Sequence, residues 1–197
     1  MIDNNNININ NDFTSYITNN YNIGIDNDKI EQACKGLAYC IEHKIPILLM
    51  GNGGSAYTAA HFAQDITKVL SGNAHSLSDN YGLVMAVAND LSYDDVFEFQ
   101  LQRFINNNPN QKPLIIALSY SGESPNILYA VSLARTNKFP VLSITGNNGG
   151  DLIKISNLNI NVPTTNIYVA ESVHSIILHY FIDYLKVYFN SRWDELE

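Results

Sequence analysis

Four side chains able to bind a metal or move a proton stand at spacings that can bring them together. His61 and Asp65 are four residues apart in a stretch that reads as helix, so both project from one face, one turn above the other. Glu171 and His179 are eight apart in the last helical stretch, which leaves them about 80° apart around the axis and still able to converge on a point. Two imidazoles and two carboxylates suit a divalent cation such as zinc. Pairs of this kind are more often plain exposed helix pairs, and spacing alone leaves both readings open. His174, one turn after Glu171, could orient a ligand, but a buried or surface histidine is the commoner reading and it is left out of the catalytic set.

A second kind of chemistry is carried by two turns. Met50 ends a strand, and Gly51-Asn52-Gly53-Gly54-Ser55 leads straight into a helix, where free backbone N–H groups and the positive end of the helix dipole converge. Ser55 can donate its hydroxyl to an anion or cap the helix. The turn after Leu118 runs Ser119-Tyr120-Ser121-Gly122-Glu123-Ser124, and Pro125 stands where a first helical residue belongs. Ser124 serves either an anion or the helix cap. Serine hydroxyls hold a phosphate without Lys or Arg. That reconciles an anionic ligand with a chain of formal charge −8 whose 11 basic residues are scattered. The same balance excludes a nucleic-acid surface, which needs clustered Lys and Arg.

The elements that position these residues follow from apolar patterning. The 197 residues are 46% hydrophobic and fit one domain with a sizeable core. We divide the chain into residues 1–25, an Asn-rich segment with a short helix around Phe13 to Tyr21, and a single domain over 26–197. The tract from Asn4 to Asn11 is assigned no chemistry. Asp26 or Asp28 caps a helix that runs to about His43, where Pro46 stops it. Apolar runs at Ile47–Met50, Leu83–Ala88, Leu114–Leu118, Val141–Ile144 and Leu158–Val162 are the expected strands. Such runs suit a parallel sheet covered on both faces. The stretches Ala56–Leu70, Tyr93–Asn106, Asn126–Asn137 and Gly150–Ser156 supply the crossover helices, and a long helix over about Tyr168 to Phe189 closes the chain. The expected class is a three-layer α/β/α sandwich. Cys34 and Cys40 lie on different faces of one helix and read as buried thiols in a reducing compartment. With neither a signal peptide nor an apolar run long enough for a bilayer, the expected location is cytoplasmic.

Together, Gly51 to Ala56, Asn89-Asp90, the Ser119 to Ser124 turn with Pro125-Asn126, Thr145-Gly146 with Gly149-Gly150, and Val162-Pro163 resemble the sugar isomerase (SIS) family in its phosphoheptose isomerase branch. The resemblance covers about Ile30 to Lys186. It implies a five-stranded parallel sheet, a homotetramer with active sites between subunits, and one divalent metal per site, with zinc expected. It also implies conversion of sedoheptulose 7-phosphate to D-glycero-D-manno-heptose 7-phosphate through an enediol. The family carries a His and a Glu on the first helix, and a Gln and a His on the last, as metal ligands and catalytic groups. Those positions are His61, Asp65, Glu171 and His179 here. On that basis Asp65 is the base and His179 the acid, and Glu171 either binds metal or shares the base role, compensating for the shorter Asp65. Asn52, Gly53, Gly54, Ser55, Asp90, Ser119, Tyr120, Ser121 and Ser124 are the expected substrate and phosphate contacts.

Two further positions depart from the family. Its Thr in the second turn is Tyr120 here, a phenol expected either to reach the phosphate from farther away or to fill part of the pocket. Its Gly-Arg-Tyr run after the first helix is replaced by Lys68-Val-Leu-Ser-Gly72. The competing expectations are an isomerase of another sugar phosphate, as for a surface polysaccharide, and a non-catalytic scaffold like the replication-initiator-associated relatives. A sugar-phosphate-sensing regulator ranks last, because the chain has no room for a DNA-binding domain. Retention of the four polar residues favours the enzyme.

Overall fold

The computed structural model describes residues 13–193. Five strands, β1 (Ile47–Gly51), β2 (Ala74–Ser76), β3 (Leu114–Ser119), β4 (Val141–Gly146) and β5 (Leu158–Val162), pair in parallel in the order β2-β1-β3-β4-β5. In register, Leu49 stands opposite Ser76 on one side and Ile116 on the other. Every residue of β1, β3 and β4 is buried, which is why these strands lack polar alternation.

Alternate strand residues face two helical layers. Leu49, Ile116 and Ile144 pack with α2 (Asn27–Glu42), α3 (Gly54–Leu70) and α8 (Ile167–Trp193), through Leu37, Phe62, Ile66, Phe181 and Leu185. Leu48, Met50, Ile115 and Ala117 pack with α4 (Tyr81–Asp90), α5 (Val96–Asn107), α6 (Pro125–Thr136) and α7 (Leu152–Ile155). Each fully buried Leu or Ile contributes roughly 1.5–3 kcal/mol of burial free energy, so these two layers hold the sheet in place. The α/β/α sandwich is as expected. The helix α1 (Phe13–Asn20) precedes it with no buried residue of its own, and the Asn4–Asn11 tract lies outside the described residues. Asp26 is the cap of α2, accepting from the N–H groups of Asp28 and Lys29 at 3.1 and 3.3 Å. Cys34 and Cys40 are buried and unbridged, and burial pushes both thiols up to about 11, leaving them unreactive.

The second strand is not where the apolar pattern put it. Leu83–Ala88, expected as a strand, forms the body of α4, started by Asn80, whose side chain accepts from Leu83 N–H at 3.2 Å. A six-residue apolar run does not distinguish strand from helix, and here the N-cap decides. Of α4, only Val87 is buried, so the run's apolar character was not that of a strand covered on both faces. The true β2, Ala74-His75-Ser76, pairs with β1 alone. A three-residue edge strand with alternating burial leaves little apolar signal. The Tyr93–Asn106 stretch also divides, into a 3-10 turn over Tyr93–Asp95 and α5. Among the described residues, no helix is long and apolar enough to cross a membrane.

Because β2 lies on one side of β1 and β3 on the other, the winding reverses between β1 and β3. In open α/β sheets, the crevice beyond the carboxyl ends of such a strand pair is where ligands bind. The two turns expected to hold an anion follow these two strands.

Candidate active site

The turn after β1 is built from backbone. Gly53 takes φ +53° at the start of α3, a conformation L side chains rarely adopt, and no side chain caps the helix. Its first N–H groups therefore remain available to an anion, with buried Ser55 in the same turn. The Asn52 side chain has a different task. It exchanges two hydrogen bonds of 2.9 Å with the Asn126 amide and accepts a third, of 2.7 Å, from the Tyr93 phenol. Asn52 thus ties the first turn to the helix that follows the second. Neither Asn126 nor Tyr93 was expected at the site from sequence. Asn126 could have been found, since an amide at the second position of a helix packed on a sheet needs a partner, and it is 1% exposed.

The turn after β3 is built from hydroxyls around Gly122, at φ +67°, where an added Cβ would collide with the Gly149 carbonyl. Ser119 Oγ accepts from Gly122 N–H, and Ser121 Oγ from Glu123 N–H, both at 3.1 Å. Ser124 precedes α6 but makes no cap bond; its Oγ lies 3.4 Å from Ser119 Oγ. Tyr120 turns away from this cluster. Its phenol donates to Thr165 O at 2.7 Å, and burial raises its pKa, keeping it a neutral donor.

His61, Asp65 and His179 meet between α3 and α8. His61 Nε2 lies 3.4 Å from Asp65 Oδ2, and the rings of His61 and His179 meet edge-on with centroids 5.1 Å apart. One ligand atom from each of His61, Asp65 and His179 can be chosen so that all lie within 4.8 Å of one another. The group opens to solvent through His61, whose side chain is 53% exposed, while Asp65 is at 18%. Two imidazoles and one carboxylate match the donor chemistry of zinc and leave positions for other ligands.

Glu171 does not join that group. Its carboxylate lies against Gly54, where an added Cβ would stand 2.8 Å from Oε2. Helices α3 and α8 run side by side in the same direction, so Glu171 meets the first turn of α3 and His179, roughly 12 Å farther along, meets its middle. Burial raises the Glu171 pKa. Asp90 is the exposed last residue of α4 and accepts from Asn89 Nδ2 at 2.8 Å. It too stands outside the donor group. His174 is 1% exposed, and burial pushes its pKa down to about 4 against a weaker upward pull from the Thr145 backbone. Lys68 lines an open groove between α3 and β2 with Gln64, Thr67 and His75.

Comparison with known proteins agrees with this arrangement. The SIS domain family model matches residues 20–146. A phosphoheptose isomerase of Helicobacter pylori (strain P12) is 31% identical over 169 residues, covering 82% of this chain and 85% of that protein. One of Coxiella burnetii (strain RSA 493) is 33% identical over 164 residues, covering 79% and 80%. The solved structure of a phosphoheptose isomerase from Neisseria gonorrhoeae superposes with a TM-score of 0.74 at 27% identity, over 81% of this chain and 86% of that one. The two anion turns at the switch point, the helices that carry the donor group and these similarities agree: the chain belongs to the SIS domain family, in its phosphoheptose isomerase branch.

Proposed function

We propose that this protein is a sugar-phosphate aldose–ketose isomerase that converts sedoheptulose 7-phosphate to D-glycero-D-manno-heptose 7-phosphate. The observation that carries the reading is the distance between two chemistries along one helix. The open N–H groups at the start of α3 suit a phosphate, and His61 lies roughly 9 Å farther along the axis, with Asp65 one turn beyond. An extended seven-carbon chain with its phosphate ester spans about the same length, its C–C bonds being about 1.5 Å. A substrate phosphorylated at one end and isomerised at the other thus reaches from cradle to donor group.

Isomerisation breaks the C1–H bond and moves its electron pair into a C1–C2 double bond while the C2 carbonyl oxygen gains a proton. The enediol then gives up its O1 proton, the electron pair of the C1–C2 double bond takes a proton at C2, and the carbonyl is left on C1. We assign Asp65 as the base at C1 and His179 as the acid, with the His61 ring holding the Asp65 carboxylate in place. His61, Asp65 and His179 would hold a divalent metal, for which zinc suits the donors, and it would polarise the carbonyl and the developing negative oxygens. Glu171, beside the first turn of α3, is read as sharing proton transfer or holding a sugar hydroxyl. Glu171→Gln is expected to leave zinc content intact and lower turnover several-fold; unchanged turnover would remove Glu171 from the mechanism.

A homotetramer with sites between subunits is part of the same proposal. Two helices support it by the apolar surface they leave uncovered: Tyr81 and Met85 on α4, Ile176 and Tyr180 on α8. The deciding assay is isomerisation of sedoheptulose 7-phosphate by purified protein, as prepared, after chelation and after zinc is restored. Turnover that disappears and returns with zinc supports the reading. Zinc binding without turnover points to another sugar phosphate, and absence of both points to a scaffold.

A further inference from the structure

Tyr120 sits where three strand ends meet, and its backbone and side chain are held by different partners. Its carbonyl accepts from Gly146 N–H at 2.9 Å, fixing the second turn to the end of β4. Its ring lies on Gly146 so closely that any Cβ there would collide with Cδ2. Its phenol then reaches the linker between β5 and α8 and donates to Thr165 O at 2.7 Å. The next residue, Asn166, begins α8: its Oδ1 accepts from Tyr168 N–H at 3.0 Å and from Val169 N–H at 3.3 Å. The residue beside the hydroxyl cluster therefore grips the chain one position before the cap of the helix that carries Glu171 and His179.

We infer that Tyr120 is a positioning residue that clasps the phosphate turn to α8 and so sets the placement of His179 against His61 and Asp65 on α3. This rests on the isomerase reading above and deepens it. A rigid helix transmits an axial shift or rotation at its cap to every residue it carries, so a hydrogen bond at Thr165 is felt at His179 without any contact between Tyr120 and substrate. The donor group depends on such placement, because two of its members belong to α3 and one to α8. The hydroxyls of Ser119, Ser121 and Ser124 do not depend on it, since none bonds to the Tyr120 phenol.

The test is Tyr120→Phe, which keeps the ring on Gly146 and removes one hydrogen bond, followed by Tyr120→Thr, which removes the ring as well. Three quantities are measured on the intact protein: kcat with sedoheptulose 7-phosphate, affinity for inorganic phosphate, and affinity for zinc alone. Loss of one such bond is expected to lower kcat about fivefold and weaken zinc about threefold, with phosphate affinity unchanged within a factor of two. Tyr120→Thr is expected to lower kcat at least as far without weakening phosphate. A tenfold loss of phosphate affinity with kcat preserved would make Tyr120 a direct ligand and overturn the inference. A lower melting temperature with all three quantities unchanged would reduce it to a structural brace and overturn it equally. Should the wild-type protein show no turnover, the isomerase reading falls; the clasp then stands if zinc affinity drops while phosphate affinity holds, and falls if it does not.

Discussion

The two anion turns and the donor group between α3 and α8 are built in opposite ways. In the turns, positive φ at Gly53 and Gly122 shapes the backbone, serine hydroxyls take the Gly122 and Glu123 N–H groups of the second, and each helix start is left without a side-chain cap. In the donor group, three side chains from two helices converge across a packed interface, and the backbone contributes only their placement. The difference teaches where each is fragile. A turn tolerates loss of a hydroxyl and fails when its backbone is forced out of shape, whereas the donor group fails with one side chain and leaves the fold intact.

The largest expected effect is at His179. His179→Ala removes both the proposed acid and one of three ligands, and is expected to lower kcat on the order of 10²- to 10⁴-fold and to weaken zinc binding, with inorganic phosphate still bound normally. Loss of phosphate binding in the same variant would break the contrast, because the turns would then depend on α8. Gly122→Ala strikes the other side. A positive φ and a collision with the Gly149 carbonyl together are expected to cost roughly 2–4 kcal/mol in urea unfolding, a loss that no serine in the turn should approach.

The same contrast governs what could be read in advance. The turns were legible because glycines, serines and Pro125 at a helix start are local signals, each acting within a few residues. The His61–Asp65 pair was legible for the same reason, as one helical turn. Whether Glu171 or His179 reaches that pair depends on how α8 lies along α3, and side-by-side packing in one direction sends Glu171 to Gly54 instead. Asn52 was placed in the first turn correctly, but its amide is taken up by Asn126, 74 residues away. The Leu83–Ala88 helix does not follow from its pattern because a six-residue apolar run that packs on the sheet layer through Leu83, Val84, Val87 and Ala88 looks the same as strand or helix, and a three-residue edge strand leaves no pattern to find.

His174 extends the comparison to pH. It lies buried on α8 between Glu171 and His179, neutral, with a pKa pushed down to about 4 from the usual 6.5. Below pH 6.5 the unfolded chain takes up a proton that the folded chain refuses until about pH 4, so stability falls as pH drops through that window. The full effect is on the order of 3 kcal/mol at one pKa unit per 1.36 kcal/mol. His174→Leu should flatten this part of the profile in urea unfolding between pH 7 and pH 4. A variant that keeps the wild-type slope would assign the acid sensitivity to other groups and free α8 of it.

The smallest effect separates two roles for one hydroxyl. Ser124 occupies the N-cap position of α6, where a capping serine replaced by alanine costs about 1 kcal/mol. It makes no cap bond here, and its Oγ lies only 3.4 Å from that of Ser119, across the turn. If that hydroxyl serves the anion, Ser124→Ala lowers affinity for inorganic phosphate about threefold to fivefold and shifts unfolding stability by only a few tenths of a kcal/mol. If it serves the helix, the pattern inverts, with about 1 kcal/mol lost and phosphate unaffected. The first outcome follows from the geometry, because a serine that leaves its own helix uncapped keeps its hydroxyl turned to the Ser119 hydroxyl across the turn, where a ligand can use it.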